Sequence, residues 1–190
     1  MSVQLRPATP LDAGVIAEMA VTETEGLMPS FWGAMAASNE TATETGVRQI
    51  KLDHGVFSWK NATIALIDDE PAGVMISEVL AGVPEPIEED MHPIIRPIVK
   101  LQNDALETRF ISLIAIFGEY RRQHIGEKLL EYAEAHAGPR GVSAISTNAN
   151  AVGQEFFFSQ GYTRISEAPL ISTNWDTQSN RWYLLGKPET

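Results

Sequence analysis

The sequence contains no cysteine. A disulfide framework, a thiolate metal site and a cysteine nucleophile are therefore excluded. Basic residues are scarce: 14 Lys and Arg stand against 25 Asp and Glu in 190 residues, for a formal net charge of −11. A surface this acidic repels phosphate backbones and anionic lipid, which argues against nucleic acid and membrane as partners. No run approaches the roughly 18 apolar residues of a membrane span, and the opening MSVQLRPATP lacks the apolar stretch of a signal peptide. A soluble, cytoplasmic protein is expected. Only 4 histidines are present, with no HExxH and no GxSxG. Asp90-Met91-His92 is too thin a group to predict a metal, and a serine hydrolase gets little support.

The charge that is present is unevenly placed. Residues 1–108 hold 17 acidic and 6 basic side chains, whereas residues 109–190 hold 8 of each. The length fits a single domain spanning 1–190 with a sizeable core. VQLRP at 3–7 reads as a strand. Thr9-Pro10-Leu11-Asp12 is a helix start with a cap, Pro at the first position and a carboxylate three residues on, and Val15, Ile16 and Met19 continue a helix over about 10–21. Leu27, Met28, Phe31, Trp32 and Met35, then Val47 and Ile50, predict one or two helices over 25–55. Residues 62–82 read as a hairpin with an acidic turn near Pro71. The Pro- and acid-rich stretch 83–107 is too long for an ordinary connection and predicts an insert between strands, with a helix near 94–106. RFISLIAIF at 109–117 is a buried strand. A helix stopped by Gly138-Pro139, a strand at 142–147, a helix over 150–160 and strands near 162–170 and 181–186 complete a mixed α/β sheet flanked by helices.

The most informative stretch follows the strand at 109–117: Gly118-Glu119-Tyr120-Arg121-Arg122-Gln123-His124-Ile125-Gly126, then a helix. A strand feeding a short loop that opens a helix presents unpaired N–H groups and the positive end of the helix dipole, the parts of an anion site. Arg121, Arg122 and Lys128 add positive charge there, and Gly126 permits close backbone approach. The plain alternative is that the two arginines only solvate a loop. The sequence is neither a Walker loop nor a GxGxxG fingerprint. The second stretch, Asn150 to Tyr162, puts Asn at a helix start, Phe156-Phe157 inside the helix and Gly161-Tyr162 at its end. Read singly, Asn150 is an N-cap and the two phenylalanines are core.

Together the two stretches resemble the GNAT superfamily of acyl-CoA-dependent N-acyltransferases. Arg121 to Gly126 is similar to that family's (Q/R)-x-x-G-x-(G/A) pyrophosphate loop. Asn150 to Tyr162 is similar to its N-x-x-A-x-x-(L/F)-Y-x-x-x-G-(F/Y) element. The resemblance implies a splayed central sheet of six to seven strands, acetyl-CoA as cosubstrate and a primary amine as acceptor. It implies that the backbone of Ile114, Ala115 and Ile116 pairs with the pantetheine arm. Arg121, Arg122, Gln123, His124, Ile125, Gly126 and Glu127 would form the pyrophosphate cradle. Asn150 would bond the cofactor near its thiol end, with Phe157 beside the sulfur. A homodimer is a further implication.

Three departures bear on mechanism. His124 replaces the loop's first glycine and is expected to keep a right-handed, helical conformation. Gly153 replaces an alanine, at about 1 kcal/mol of helix stability. Phe157 replaces a tyrosine that, in relatives, returns a proton to the leaving thiolate. The strand positions that carry a base in some relatives are Phe110 and Ser112, and neither takes a proton at neutral pH. Glu25 and Glu78 are the candidate bases, with His54 a third, through water. Two functions follow: direct acetyl transfer in a ternary complex with no covalent intermediate, or a noncatalytic acyl-CoA-binding or regulatory module.

Overall fold

The computed structural model describes residues 2–24, 26–91, 93–171 and 178–187. Among the described residues, seven strands form one open sheet in the order β1-β2-β3-β4-β5-β7-β6. They are β1 (Val3–Pro7), β2 (Ala62–Ile67), β3 (Glu70–Val79), β4 (Arg109–Ile116), β5 (Val142–Thr147), β6 (Thr163–Pro169) and β7 (Arg181–Lys187). The helices among the described residues are α1 (Ala13–Glu23), α2 (Leu27–Ala34), α3 (Ala42–Lys51), α4 (Arg96–Asp104), α5 (Ile125–Ala135) and α6 (Ala151–Ser159). The chain divides into two compact units: one runs to Ser77 and adds Ser112–Tyr132, the other comprises Glu78–Ile111 and the chain from Ala133 onward.

In the first unit, β1 and β2 pair antiparallel, as do β2 and β3. The β2–β3 turn is made by Asp68 and Asp69, both left-handed (φ 51° and 68°). Two successive left-handed residues match the twist of a tight hairpin, and aspartate tolerates that region better than most residues. Pro71 stands inside β3 rather than in the turn, where the pairing with Leu66 shifts register. The expected helix start at Thr9 is present as a capping box with Asp12, but the first turn, Pro10–Asp12, is 3₁₀ and α1 proper begins at Ala13. Asp12 also takes both terminal nitrogens of Arg6, at 2.7 and 2.9 Å. The 25–55 region resolves into two helices. Trp32 is fully buried with Ile16, Met19, Ile50, Ile64, Val74 and Ile76. Its ring meets Phe57 edge-on, at 5.8 Å between centroids. Trp32 is thus core, and Gly46 lies so close that a Cβ there would come within 2.4 Å of the indole.

In the second unit, β5 pairs antiparallel with β7, and β7 with β6. The insert holds the helix expected near 94–106. Its two ends meet: Leu80 N–H donates to Thr108 O at 3.0 Å, and Glu107 N–H donates to Leu80 O at 3.2 Å. Asn103 of α4 clasps the backbone of Glu85, accepting from its N–H and donating to its carbonyl, both at 2.8 Å. The helix packs on β6, where Ser166 donates to Asp104 at 2.7 Å.

Candidate functional site

Near the site β4 and β5 pair in parallel. Arg109, Phe110 and Ile111 pair with Val142, Ser143 and Ala144. Ala115 is buried, while Ile114 and Ile116 are half-buried. The strand end is fixed where Phe117 N–H donates to Ala72 O at 3.1 Å.

A 3₁₀ turn, Gly118–Tyr120, leads from β4 into the loop, where Arg121 is extended (φ −60°, ψ 153°). Arg122 and His124 are both left-handed, with φ of 62° and 61°. The expected helical conformation of His124 is thus overturned. The residue takes a backbone shape that suits glycine, at about 1–2 kcal/mol of local cost for a side-chain-bearing residue. Its ring stays outside, largely exposed, with Nδ1 2.8 Å from Glu127 Oε2. The first bond of the α5 ladder runs from Lys128 N–H to His124 O at 3.1 Å. The N–H groups of Ile125, Gly126 and Glu127 therefore precede the ladder and point out of the helix start. Gly126 is buried in that first turn. A row of donors at the positive end of a helix suits an anion such as a pyrophosphate.

The three cations that sequence groups here have different fates. Arg121 pairs with Glu23 of α1 at 2.5 Å. Lys128 pairs with Glu131 at 2.6 Å. Arg122 is exposed and, among the described residues, its side chain has no hydrogen bond or ion pair. Beside the loop lies a cleft of about 530 Å³ between α1 (Val15, Glu18, Thr22, Glu23), the hairpin (Glu70, Pro71) and Phe117–Tyr120. Sequence reasoning missed Glu18 and Glu23, because nothing local ties a helix-end glutamate to a loop a hundred residues away.

In the second unit, Asn150 caps α6, its side chain accepting from Gly153 N–H at 2.9 Å. A Cβ at Gly153 would come 2.4 Å from the Asn150 amide nitrogen, so the missing methyl is what lets that amide fold over the helix start. Phe157 is buried and lies edge-on to Phe156 and Tyr162. The Tyr162 hydroxyl donates to Glu134 at 3.4 Å, and Lys187 donates to the same oxygen at 2.9 Å. Burial first, then the Glu134 charge, push the Tyr162 pKa up, so it stays a neutral, packed phenol.

Of the candidate bases, Glu25 lies outside the described residues. Glu78, near the end of β3, is half-buried, and desolvation raises its carboxyl above the usual range. Among the described residues its carboxylate has no hydrogen-bond or ion-pair partner. His54 is exposed, with Nδ1 3.0 Å from Asp53. Phe110 is fully buried, and the Ser112 hydroxyl is buried without a hydrogen-bond partner among the described residues. His92 of the Asp90–His92 group lies outside the described residues, and among those described no cluster of three or more His, Asp or Glu could hold a metal. No described helix is long and apolar enough to cross a membrane.

The sequence profile of the Acetyltransferase (GNAT) family matches residues 35–162, more than half of the chain. Among curated proteins no sequence matches. Solved structures resemble it throughout. An N-acetyltransferase from Staphylococcus aureus Mu50 superposes with a TM-score of 0.66 at 14% identity, over 96% of this chain and 98% of its own. Ard1 from Thermoplasma volcanium gives 0.62 at 12% identity, over 100% and 99%. Arabidopsis thaliana Naa50, in complex with the bisubstrate analogue CoA-Ac-MVNAL, gives 0.59 at 12%, over 98% and 99%. At these identities the likenesses establish the fold, and the profile establishes the family: the chain belongs to the Acetyltransferase (GNAT) family.

Proposed function

We propose that the protein transfers the acetyl group of acetyl-CoA to a primary amine by direct attack in a ternary complex. The observation that carries this reading is the loop from Arg121 to Glu127: a row of backbone donors opening α5, flanked by an uncommitted Arg122. The donors ahead of Lys128 would hold the pyrophosphate, and the edge of β4 at Ile114, Ala115 and Ile116 would bond the pantetheine arm as an added strand does. The cosubstrate supplies an activated acetyl thioester. A backbone N–H near Ile116 would stabilise the oxyanion, and alignment of the two reactants supplies much of the acceleration.

Glu78 is our choice of general base. A half-buried carboxylate with a raised pKa and no competing partner is suited to take the ammonium proton at neutral pH, directly or through water. The bisubstrate analogue bound by the Arabidopsis protein supports an amine acceptor. The acidic residues 1–108 and the carboxylate-lined cleft favour a cationic one. A homodimer and a cytoplasmic setting belong to the same reading.

A second reading is a noncatalytic acyl-CoA-binding or regulatory module. It is favoured by Phe157, Phe110 and Ser112, which leave the family's acid and base positions without a titratable group. Thiol release from acetyl-CoA over an amine panel, beside calorimetric titration of the cofactor, separates the two. Turnover with any amine supports the enzyme. Tight binding without turnover supports the module, and absence of binding removes both.

A further inference from the structure

We infer that Glu23 is a positioning residue for the cofactor loop, acting through Arg121, and that Arg122 alone supplies the loop's side-chain charge to the anion. The inference rests on the acetyl-CoA reading above. Two adjacent arginines open the loop, and by sequence either could meet a pyrophosphate. The structure separates them. The Arg121 guanidinium is held 2.5 Å from the Glu23 carboxylate, which is only 9% exposed, at the last turn of α1. Arg122 turns away through a left-handed backbone and is exposed.

A carboxylate this enclosed needs its cation, because an unpaired buried charge is costly. The pair therefore fixes the extended conformation of Arg121, on which the left-handed turn at Arg122 and the donors beyond it depend. On the far side, His124 and Glu127 bond at 2.8 Å across the first turn of α5, but both are exposed and hold weakly. Among the described contacts, the Glu23–Arg121 pair is the one side-chain tie from the loop to α1.

The two roles of Arg121 predict opposite outcomes for Glu23→Gln. If Arg121 were a phosphate ligand restrained by Glu23, removing the acid would free a cation and delete a nearby negative charge, and coenzyme A would bind tighter. If Glu23 positions the loop, binding weakens. We expect Glu23→Gln and Arg121→Gln each to weaken coenzyme A binding by about threefold to tenfold, with the double variant no weaker than either single one. Arg121→Lys, which keeps an ion pair, should recover part of the loss. Arg122→Gln should weaken binding and also flatten its dependence on salt.

Calorimetry with coenzyme A, repeated with acetyl-pantetheine as acetyl donor in the turnover assay, is the test. Because acetyl-pantetheine lacks the pyrophosphate, its KM should be the same for wild type and Glu23→Gln, while the KM for acetyl-CoA rises; general damage to the fold would raise both. Unchanged or tighter coenzyme A binding by Glu23→Gln, beside normal wild-type binding, overturns the positioning role and leaves the cofactor reading intact. A wild-type protein that binds no coenzyme A overturns the cofactor reading and this inference with it.

Discussion

Phe157 stands edge-on to Tyr162, ring centroids 5.2 Å apart and planes 62° from parallel. A side chain so packed is core in its own unit, and on the function proposed above it would stand where an acid meets the leaving thiolate. Phe157→Tyr should therefore raise kcat by about tenfold or more, toward the range of a restored general acid, while KM for acetyl-CoA changes little. Steady-state kinetics decide the matter: equal effects on both constants would count against this position facing the sulfur. A thermal melt belongs beside them, since a new hydroxyl buried without a partner costs about 1–3 kcal/mol.

Glu78→Gln should separate catalysis from stability. Loss of a general base slows turnover by about 10²–10⁴-fold. Burial raises the folded pKa of Glu78 above its unfolded value, so its favourable contribution is complete below the unfolded pKa and is lost as pH rises through the folded one. At neutral pH the buried charge weakens the fold, and the neutral amide should raise the melting temperature there but not at pH 4. A variant that keeps full activity would remove Glu78 from the mechanism.

How legible was this protein before its structure? The capping box at Thr9–Asp12, the Asn150 cap and the strand at 109–117 were plain, because each is written in residues next to one another. The loop was located but its shape was not. Gly126 looked like the permissive residue, yet it lies inside α5, while Arg122 and His124 hold the left-handed positions. Side-chain identity does not announce a positive φ in arginine or histidine; surrounding contacts impose it. The Glu23–Arg121 pair was invisible for a related reason, since it joins residues brought together only by tertiary packing.

His124→Gly tests that imposed shape. Glycine adopts the left-handed region freely, and the Glu127 contact it removes is exposed. We expect the variant to be more stable by about 0.5–1 kcal/mol in urea titration, with coenzyme A affinity kept or improved. A loss of stability would mean that the His124 ring contributes more than its backbone costs.

Asp12 gives a sign-defined pH dependence. Hydrogen bonds from Arg6, then from Thr9, outweigh desolvation and hold its pKa at about 2, below the ordinary 3.8. The stabilisation is complete above the unfolded value and is lost as pH falls through the folded one, most of it between pH about 4 and about 2. Asp12→Asn should cost about 2 kcal/mol at pH 7, as measured by urea unfolding, and the difference from wild type should shrink to a small fraction of that near pH 2. A gap undiminished at pH 2 would assign the cost to packing instead of charge.

The clasp between Asn103 and Glu85 gives the insert a fixed root. A side-chain amide there imitates a neighbouring peptide group, so the chain entering the excursion is registered before α4 begins, and the Leu80–Thr108 and Glu107–Leu80 bonds register it again at the strands. The bonds that register the excursion thus come from Asn103 and the backbone, so substitutions at the exposed positions 86–90 should leave them intact. By contrast, Ile94, which is buried, and Arg96, which donates to Met91 O, tie the approach to α4 more tightly.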